Sequence, residues 1–181
     1  MPVVELSKPQ RVLEHAAAHI LCDSKMDPTS EPCGLCLRPS PLCKFYLKKG
    51  KGSDANMQVN YDKSTCANMQ TFSYAVAALS TNSSPCSNVP IHCSWCPQSA
   101  PAIWRYNMYH HIKTRHAYVS LKDHENIWKI GKSEKDGLKT IWANRHKVKK
   151  TRKSKKQSIA PLVVSEAHVS HRVLWFGATY S

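Results

Sequence analysis

Apolar residues Val12, Leu13, Ala16, Ala17, Ile20 and Leu21 recur at helical spacing and predict a helix over 7–22. Ser7 followed by Gln10 forms a capping-box pattern at its start, and Pro9 sits in the first turn, where its missing N–H costs nothing. Asp27, Pro28 and Pro32 end the helix and open a loop that carries Cys33-Gly34-Leu35-Cys36. From residue 43 the texture becomes extended. Cys43–Leu47 and Met57–Tyr61 read as short strands about a Gly- and Lys-rich turn, and Gln70–Ala77 alternates with Phe72, Tyr74 and Val76 on one face. A polar connector, STNSSPCSNVPIH, follows over 80–92. Ser99 and Pro101 then resemble the cap and first turn of a helix running to about Arg115. Residues 123–130 read as a short helix. Residues 133–147 read as a longer one, with Leu138, Ile141 and Trp142 on one face. Segment 157–181 has no clear period, and CxxC is the only internal recurrence.

These elements predict an α+β fold of short antiparallel strands with flanking helices, stabilised by zinc, and a basic C-terminal tail. The expected divisions are a helix with a metal site over 1–42, a short-strand region over 43–89, a finger over 90–120, a helical extension over 121–147, and a basic, disordered tail over 148–181. At 181 residues the chain holds one domain with extensions or two small ones, and with 41% hydrophobic residues its core is modest. No apolar run approaches the ~20 residues that span a bilayer. The start MPVVELSKPQR lacks a secretory layout, so a soluble, intracellular chain with reduced thiols is expected, with no membrane partner.

Twenty-six Lys and Arg against twelve Asp and Glu give +14, which points to a polyanion, nucleic acid before membrane. Arg145–Lys156 holds eight basic and no acidic residues, leaving +6 for the rest. Arg145, Lys147, Lys149, Lys150, Arg152 and Lys153 are candidates for phosphate contact. The same run also fits a nuclear-import signal read by a receptor, or a solvating tail. A nuclear location is the expectation.

The eight Cys and ten His carry the sharper signal. Cys93-x2-Cys96, fourteen residues, then His111-x4-His116 can close a tetrahedron around Zn2+, with two thiolates on a knuckle and two imidazoles about one helical turn apart. The gap slightly exceeds the ~12 residues usual in Cys-Cys-His-His fingers. Ala102 stands where an aromatic is usual, Pro97 limits strand continuation, and His110 is an alternative to His111. A redox CxxC would need the first Cys at a helix start, which Ser94-Trp95 followed by Pro97 does not suggest. A second, reversed set is His15 and His19, i,i+4 on the first helix, with Cys33 and Cys36 thirteen residues later. Gly34 suits a tight knuckle. Alternatives pair Cys33 and Cys36 with Cys66 or Cys86, or leave the two histidines as a polar helix edge. Cys43, Cys66 and Cys86 read as small buried hydrophobes, or as part of a third site lacking an evident fourth donor beyond His92.

No catalytic arrangement stands out, and GKGS over 50–53 lacks the phosphate-loop spacing. Sites with four protein donors leave no position for water, so they are structural, and no enzyme is expected. Counting back from His111, a DNA-reading finger would present Trp104, Asn107 and His110 to bases. Asn107 can pair with adenine, whereas Trp104 cannot make such a pair. Arg105, Lys113 and Arg115 are candidates for phosphate contact. A single finger buries too little for stringent recognition, so weakly specific, charge-driven binding is expected, with a zinc-stabilised protein-interaction module as the alternative.

The ordered set HAAAHIL, EPCGLCLRP, CKFYLKKGKG, SPCSNVPIHCSWC, WRYN, H-x4-H, EKDGLKTIW, a basic run and PLVVSEAH resembles Cys-Cys-His-His zinc-finger-containing proteins of mushroom-forming fungi, over about residues 11–172. The resemblance implies zinc binding and DNA binding, with Cys93, Cys96, His111 and His116 as the finger's donors, and it supplies no mechanism. It also matches Cys33, Cys36, Cys43, Cys66 and Cys86, which implies structural or metal-binding roles among the remaining thiols. The ending VLWFGATYS departs from the group.

Overall fold

The computed structural model describes residues 8–50 and 56–146; most of the basic run, from Lys147, and the whole segment expected as a tail lie outside the described residues. Helix α1 spans Pro9–Cys22, with Pro9 at its first position. Its N-cap is Lys8, whose side chain makes no capping bond, while Ser7 of the expected capping box lies outside the described residues. Val12, Leu13, Ala16 and Ala17 are buried as the periodicity requires, and α1 packs against α4, Lys132–Asn144. Leu138 of α4 is fully buried, and Ile141 and Trp142 lean on the same core.

The strands are shorter than their apolar runs. β1, Leu47–Lys49, pairs antiparallel with β2, Met57–Val59, in the register Leu47↔Val59, Lys48↔Gln58, Lys49↔Met57. The residues before β1 serve other partners. Lys44 bridges Thr65, and Phe45 bridges Ala102 far along the chain. The strand expected over 70–77 is the one-turn helix α2, Tyr74–Ala77. Phe72, Tyr74 and Ala77 turn inward at spacings one helical turn accommodates, whereas Val76 is 61% exposed. The Phe72 backbone bonds the Tyr61 hydroxyl in place of a neighbouring strand, its N–H donating at 2.9 Å.

The polar connector is exposed over its first four residues and then enters the interior, with Pro85–Pro90 buried. Burial of polar groups is tolerated only where hydrogen bonds replace water. The Glu134 carboxylate accepts from the Ser87 N–H at 2.6 Å, from the Ser87 hydroxyl at 2.7 Å and from the Tyr106 hydroxyl. Asn88 accepts from the Tyr106 N–H at 3.1 Å. The connector ends in β3, Pro90–Ile91, antiparallel to β4, Ile103–Trp104. That pairing, together with the bond from Ala102 N–H to Phe45 O at 2.7 Å, keeps the chain extended where Ser99 and Pro101 had suggested a helix. A 3-10 turn over Arg105–Asn107 intervenes, and helix α3 runs from Met108 to Arg115. The expected helix at 123–130 is a 3-10 turn over Lys122–Ile127.

One cluster of buried side chains joins α1, the Cys33 loop, Phe45, Val59, Phe72, the connector, Trp104, Tyr106 and Leu138. A smaller one forms around Cys93, Met108 and Ile112, flanked by Trp95, Ile127 and Trp128.

Candidate metal centres

The β3–β4 hairpin carries the Cys93–Cys96 knuckle between its strands, and α3 returns His111 and His116 to it. The Cys96 N–H bonds Cys93 O at 3.2 Å and closes the knuckle. Met108 and Ile112, both buried, seat α3 on the hairpin. His116 occupies the helix C-cap with non-helical dihedrals, and this brings a residue five positions past His111 back to the same point. The Cys96 sulfur lies 3.3 Å from His111 Nε2 and 3.2 Å from His116 Nε2. The four donors Cys93, Cys96, His111 and His116 all lie within 4.8 Å of one another. Zn–S and Zn–N lengths of ~2.3 and ~2.05 Å imply a tetrahedral S···N edge of about 3.6 Å, so the gap admits one such ion. The donor is His111; His110 stands outside the group. Burial and the neighbouring His111 and Arg115 hold His116 below the ordinary histidine range, which favours the neutral ring that ligates.

The second centre is made of four thiols. Cys33 and Cys36 meet Cys43 and Cys66, again with all four sulfurs within 4.8 Å. Cys33 and Cys66 sulfurs are 3.7 Å apart, and Cys36 and Cys43 sulfurs 3.4 Å. A disulfide would need ~2.05 Å, while the S···S edge of a zinc tetrathiolate is about 3.8 Å. All eight cysteines are free. Hydrogen bonds from the Cys33, Cys36 and Cys66 thiols pull the Cys43 thiol far below its ordinary range, whereas burial pushes Cys33 well above it. Four thiols this close could hold a metal ion as thiolates, with the cation offsetting their mutual repulsion. The Cys33–Cys36 knuckle is clamped by Cys33 N–H to Arg38 O at 2.8 Å and Leu37 N–H to Cys33 O at 2.9 Å, with Leu37 at φ 61°. The left-handed residue is therefore Leu37. Gly34 serves close approach, because a Cβ there would lie 2.4 Å from the Trp104 ring.

The reversed set is thus corrected. His15 and His19 join no donor group among the described residues. Their rings meet edge to face at 4.8 Å, and His19 packs on Trp142 at 4.8 Å while its Nδ1 lies 3.2 Å from Asp23 Oδ2. With α1 packed on α4, His19 lies against Trp142 and His15 against His19, while Cys33 and Cys36 meet Cys43 and Cys66. The reading of Cys43 and Cys66 as buried hydrophobes is corrected too; only Cys86, fully buried, fits it, and its thiol is pushed up to about 12 by burial.

The nucleic-acid candidates divide. Trp104 and Asn107 precede α3 and are buried, so neither is presented to a base. Asn107 Nδ2 donates to Pro32 O at 2.8 Å. Arg105 donates to Ile127 O, Ser87 Oγ and Lys129 O at 3.0, 2.7 and 3.1 Å, so its guanidinium fastens the connector to the segment after α3. Lys113 and Arg115 are exposed. Arg145 stacks on the Trp142 ring at 3.6 Å, and Lys147, Lys149, Lys150, Arg152 and Lys153 lie outside the described residues. Sequence reasoning also missed Glu31, whose Oε1 lies 2.9 Å from His111 Nδ1; a glutamate before Pro32 carries no signal of that role.

Comparison with protein-family models, with curated proteins and with solved structures gives no match.

Proposed function

We infer that this chain is a zinc protein in which two structural Zn2+ ions hold the loops together, and that it acts in the nucleus by binding nucleic acid mainly through charge. The observation that carries the zinc reading is the pair of complete four-donor sets. Thiolate and imidazole donors in a tetrahedron suit zinc and exclude hard cations such as Mg2+ and Ca2+. Sulfurs within 4.8 Å of one another enclose one ion, which argues against an iron–sulfur cluster. With every position filled by protein, neither site activates water, and this supports a non-catalytic role. Membership of the fungal finger-containing group that the sequence resembles belongs to the same reading.

The charge supports the nucleic-acid part. Beyond the +14 of the whole chain, Lys132, Lys135 and Lys139 are exposed at i, i+3 and i+7 on α4, which leads towards Arg145 and the basic run. One observation favours a second reading, a protein-interaction module with an import signal: Trp104 and Asn107 are buried and the Arg105 guanidinium is bonded within the fold, which leaves only the half-buried His110 of the three base-reading positions. Elemental analysis of protein purified without added metal should find two zinc ions per chain; none would overturn the zinc reading. Filter binding to duplex DNA across a salt series, with the full chain and a variant lacking Lys147–Lys156, tests the rest. Affinity that falls steeply with salt and weakens in the variant is expected. No affinity in either form would overturn nucleic-acid binding in favour of the second reading.

A further inference from the structure

The loop from Asp27 to Ser40 touches both metal centres. At one end Glu31 reaches His111 of the Cys2His2 centre, carboxylate Oε1 to Nδ1 at 2.9 Å, with the two side chains 11% and 7% exposed. Two residues on, Cys33 supplies a sulfur to the tetrathiol centre. Pro32, between them, is rigid at φ and buried, and its carbonyl accepts from Asn107 Nδ2, on the residue that caps α3. Ser40 N–H to Ser30 O at 2.9 Å closes the loop's base. Glu31 adopts φ 51°, ψ 60°, a left-handed conformation unusual for a residue with a side chain. Such a conformation persists where surrounding contacts over-determine it. Here those contacts are its own N–H on Pro28 O and its carboxylate on the imidazole.

A carboxylate on the far nitrogen of a ligating imidazole fixes the ring's tautomer and orientation and raises its basicity. Glu31 can do this only while its loop is in place, and the tetrathiol centre holds that loop through Cys33 and Cys36. We propose that the two centres take up metal cooperatively, and that the Glu31–Pro32–Cys33 segment carries the coupling. The inference rests on the reading that both donor sets hold metal. Coupling of this kind is reciprocal: occupancy of either centre tightens the other by the same factor.

Cobalt(II) alone, titrated into the metal-free full chain, tests this, since S4 and S2N2 sets give distinct visible bands. Cys36→Ser, which cripples the tetrathiol centre, should weaken cobalt binding at Cys93, Cys96, His111 and His116 by about 5-fold or more, within the usual range of site–site coupling. Glu31→Ala should itself weaken that centre by about 10-fold or more. In the Glu31→Ala background, adding Cys36→Ser should cost nothing further. An undiminished Cys36→Ser effect in that background would overturn the proposal, because common folding would then carry the coupling. Equal affinity with and without Cys36→Ser in the parent chain would overturn it as well. If Cys36→Ser fails to fold, His116→Ala replaces it in the reciprocal experiment: the S4 band should demand more cobalt in the parent background and no more in Glu31→Ala. If only one band ever appears, the two-metal reading fails; if both fill independently, only the coupling does.

Discussion

Gly34→Ala is the most exacting substitution at the tetrathiol centre. An added methyl would lie 2.4, 2.6 and 2.7 Å from three carbons of the Trp104 ring, where ordinary carbon contacts are about 3.5–4.0 Å. Ring and knuckle must therefore separate by about 1 Å. The ring cannot retreat freely. It is 4% exposed, Phe45 stands edge to face at 4.9 Å, and Phe72 lies behind at 6.4 Å. Its backbone is fixed by pairing with Pro90. The knuckle must yield, and it carries two of the four sulfurs. Overpacking of this kind costs about 1–3 kcal/mol, and a rigid aromatic wall places this case near the top. If release of the metal relieves most of that strain, zinc affinity at this centre falls by about 100-fold at 1.4 kcal/mol per decade. Chelator competition on the full chain reads the affinity, and denaturant unfolding in excess zinc reads the stability. Gly131→Ala, with no atom within 4 Å of the added carbon, is the control and should cost under about 1 kcal/mol. A Gly34→Ala protein matching the parent within about 0.5 kcal/mol and with unchanged zinc affinity would refute the packing argument.

Two further outcomes follow from the same geometry. Cys43→Ser should remove one zinc per chain by elemental analysis while His15→Ala and His19→Ala keep both ions; loss of an ion from either histidine variant would restore the reversed site. Glu134→Ala strips the buried acceptor from the Ser87 N–H and the Ser87 and Tyr106 hydroxyls and should cost about 3–4 kcal/mol, a fall of roughly 10 °C in Tm measured with zinc present, and Glu134→Gln should recover part of it.

What the sequence disclosed depended on how local each decision was. The hairpin-and-helix centre could be read because its donors fall in two short motifs, Cys93-x2-Cys96 and His111-x4-His116, brought together by adjacent elements. The tetrathiol centre was half legible. A knuckle announces two donors, but a tetrahedral ion is indifferent to chain order, and two histidines at i,i+4 satisfy its chemistry as well as distant cysteines do. The packing of His19 on Trp142 decided between them, and that contact links residues far apart in sequence. The same holds for the other departures. Ser99 and Pro101 carry genuine helix-start signals, overridden by β3 and by Phe45. The 80–92 connector is polar in composition yet partly buried because Glu134, from α4, meets its donors.

The placement of the two centres follows from how little regular structure there is to hold. Strands of two or three residues and a one-turn helix supply few backbone bonds, and such pieces do not stand alone in water. Each centre sits where these pieces meet: one joins the loop after α1 to the segments flanking the β1–β2 hairpin, the other joins β3–β4 to α3. The ligand loops are also core. Cys33 lies in the same buried cluster as Trp104, and Cys93 in the cluster with Met108 and Ile112. A finger built this way is a wall of a larger fold rather than a bead on a linker. Its helix start is tied to Pro32, Ala102 just before β4 is bonded to Phe45, and Arg105 is bound into the segment after α3. Residues that an isolated finger would present outward are thereby turned inward. On the nucleic-acid reading proposed above, the exposed Lys113, Arg115, Lys132, Lys135 and Lys139 are the described candidates for contact, and such side chains suit phosphate charge far better than base sequence.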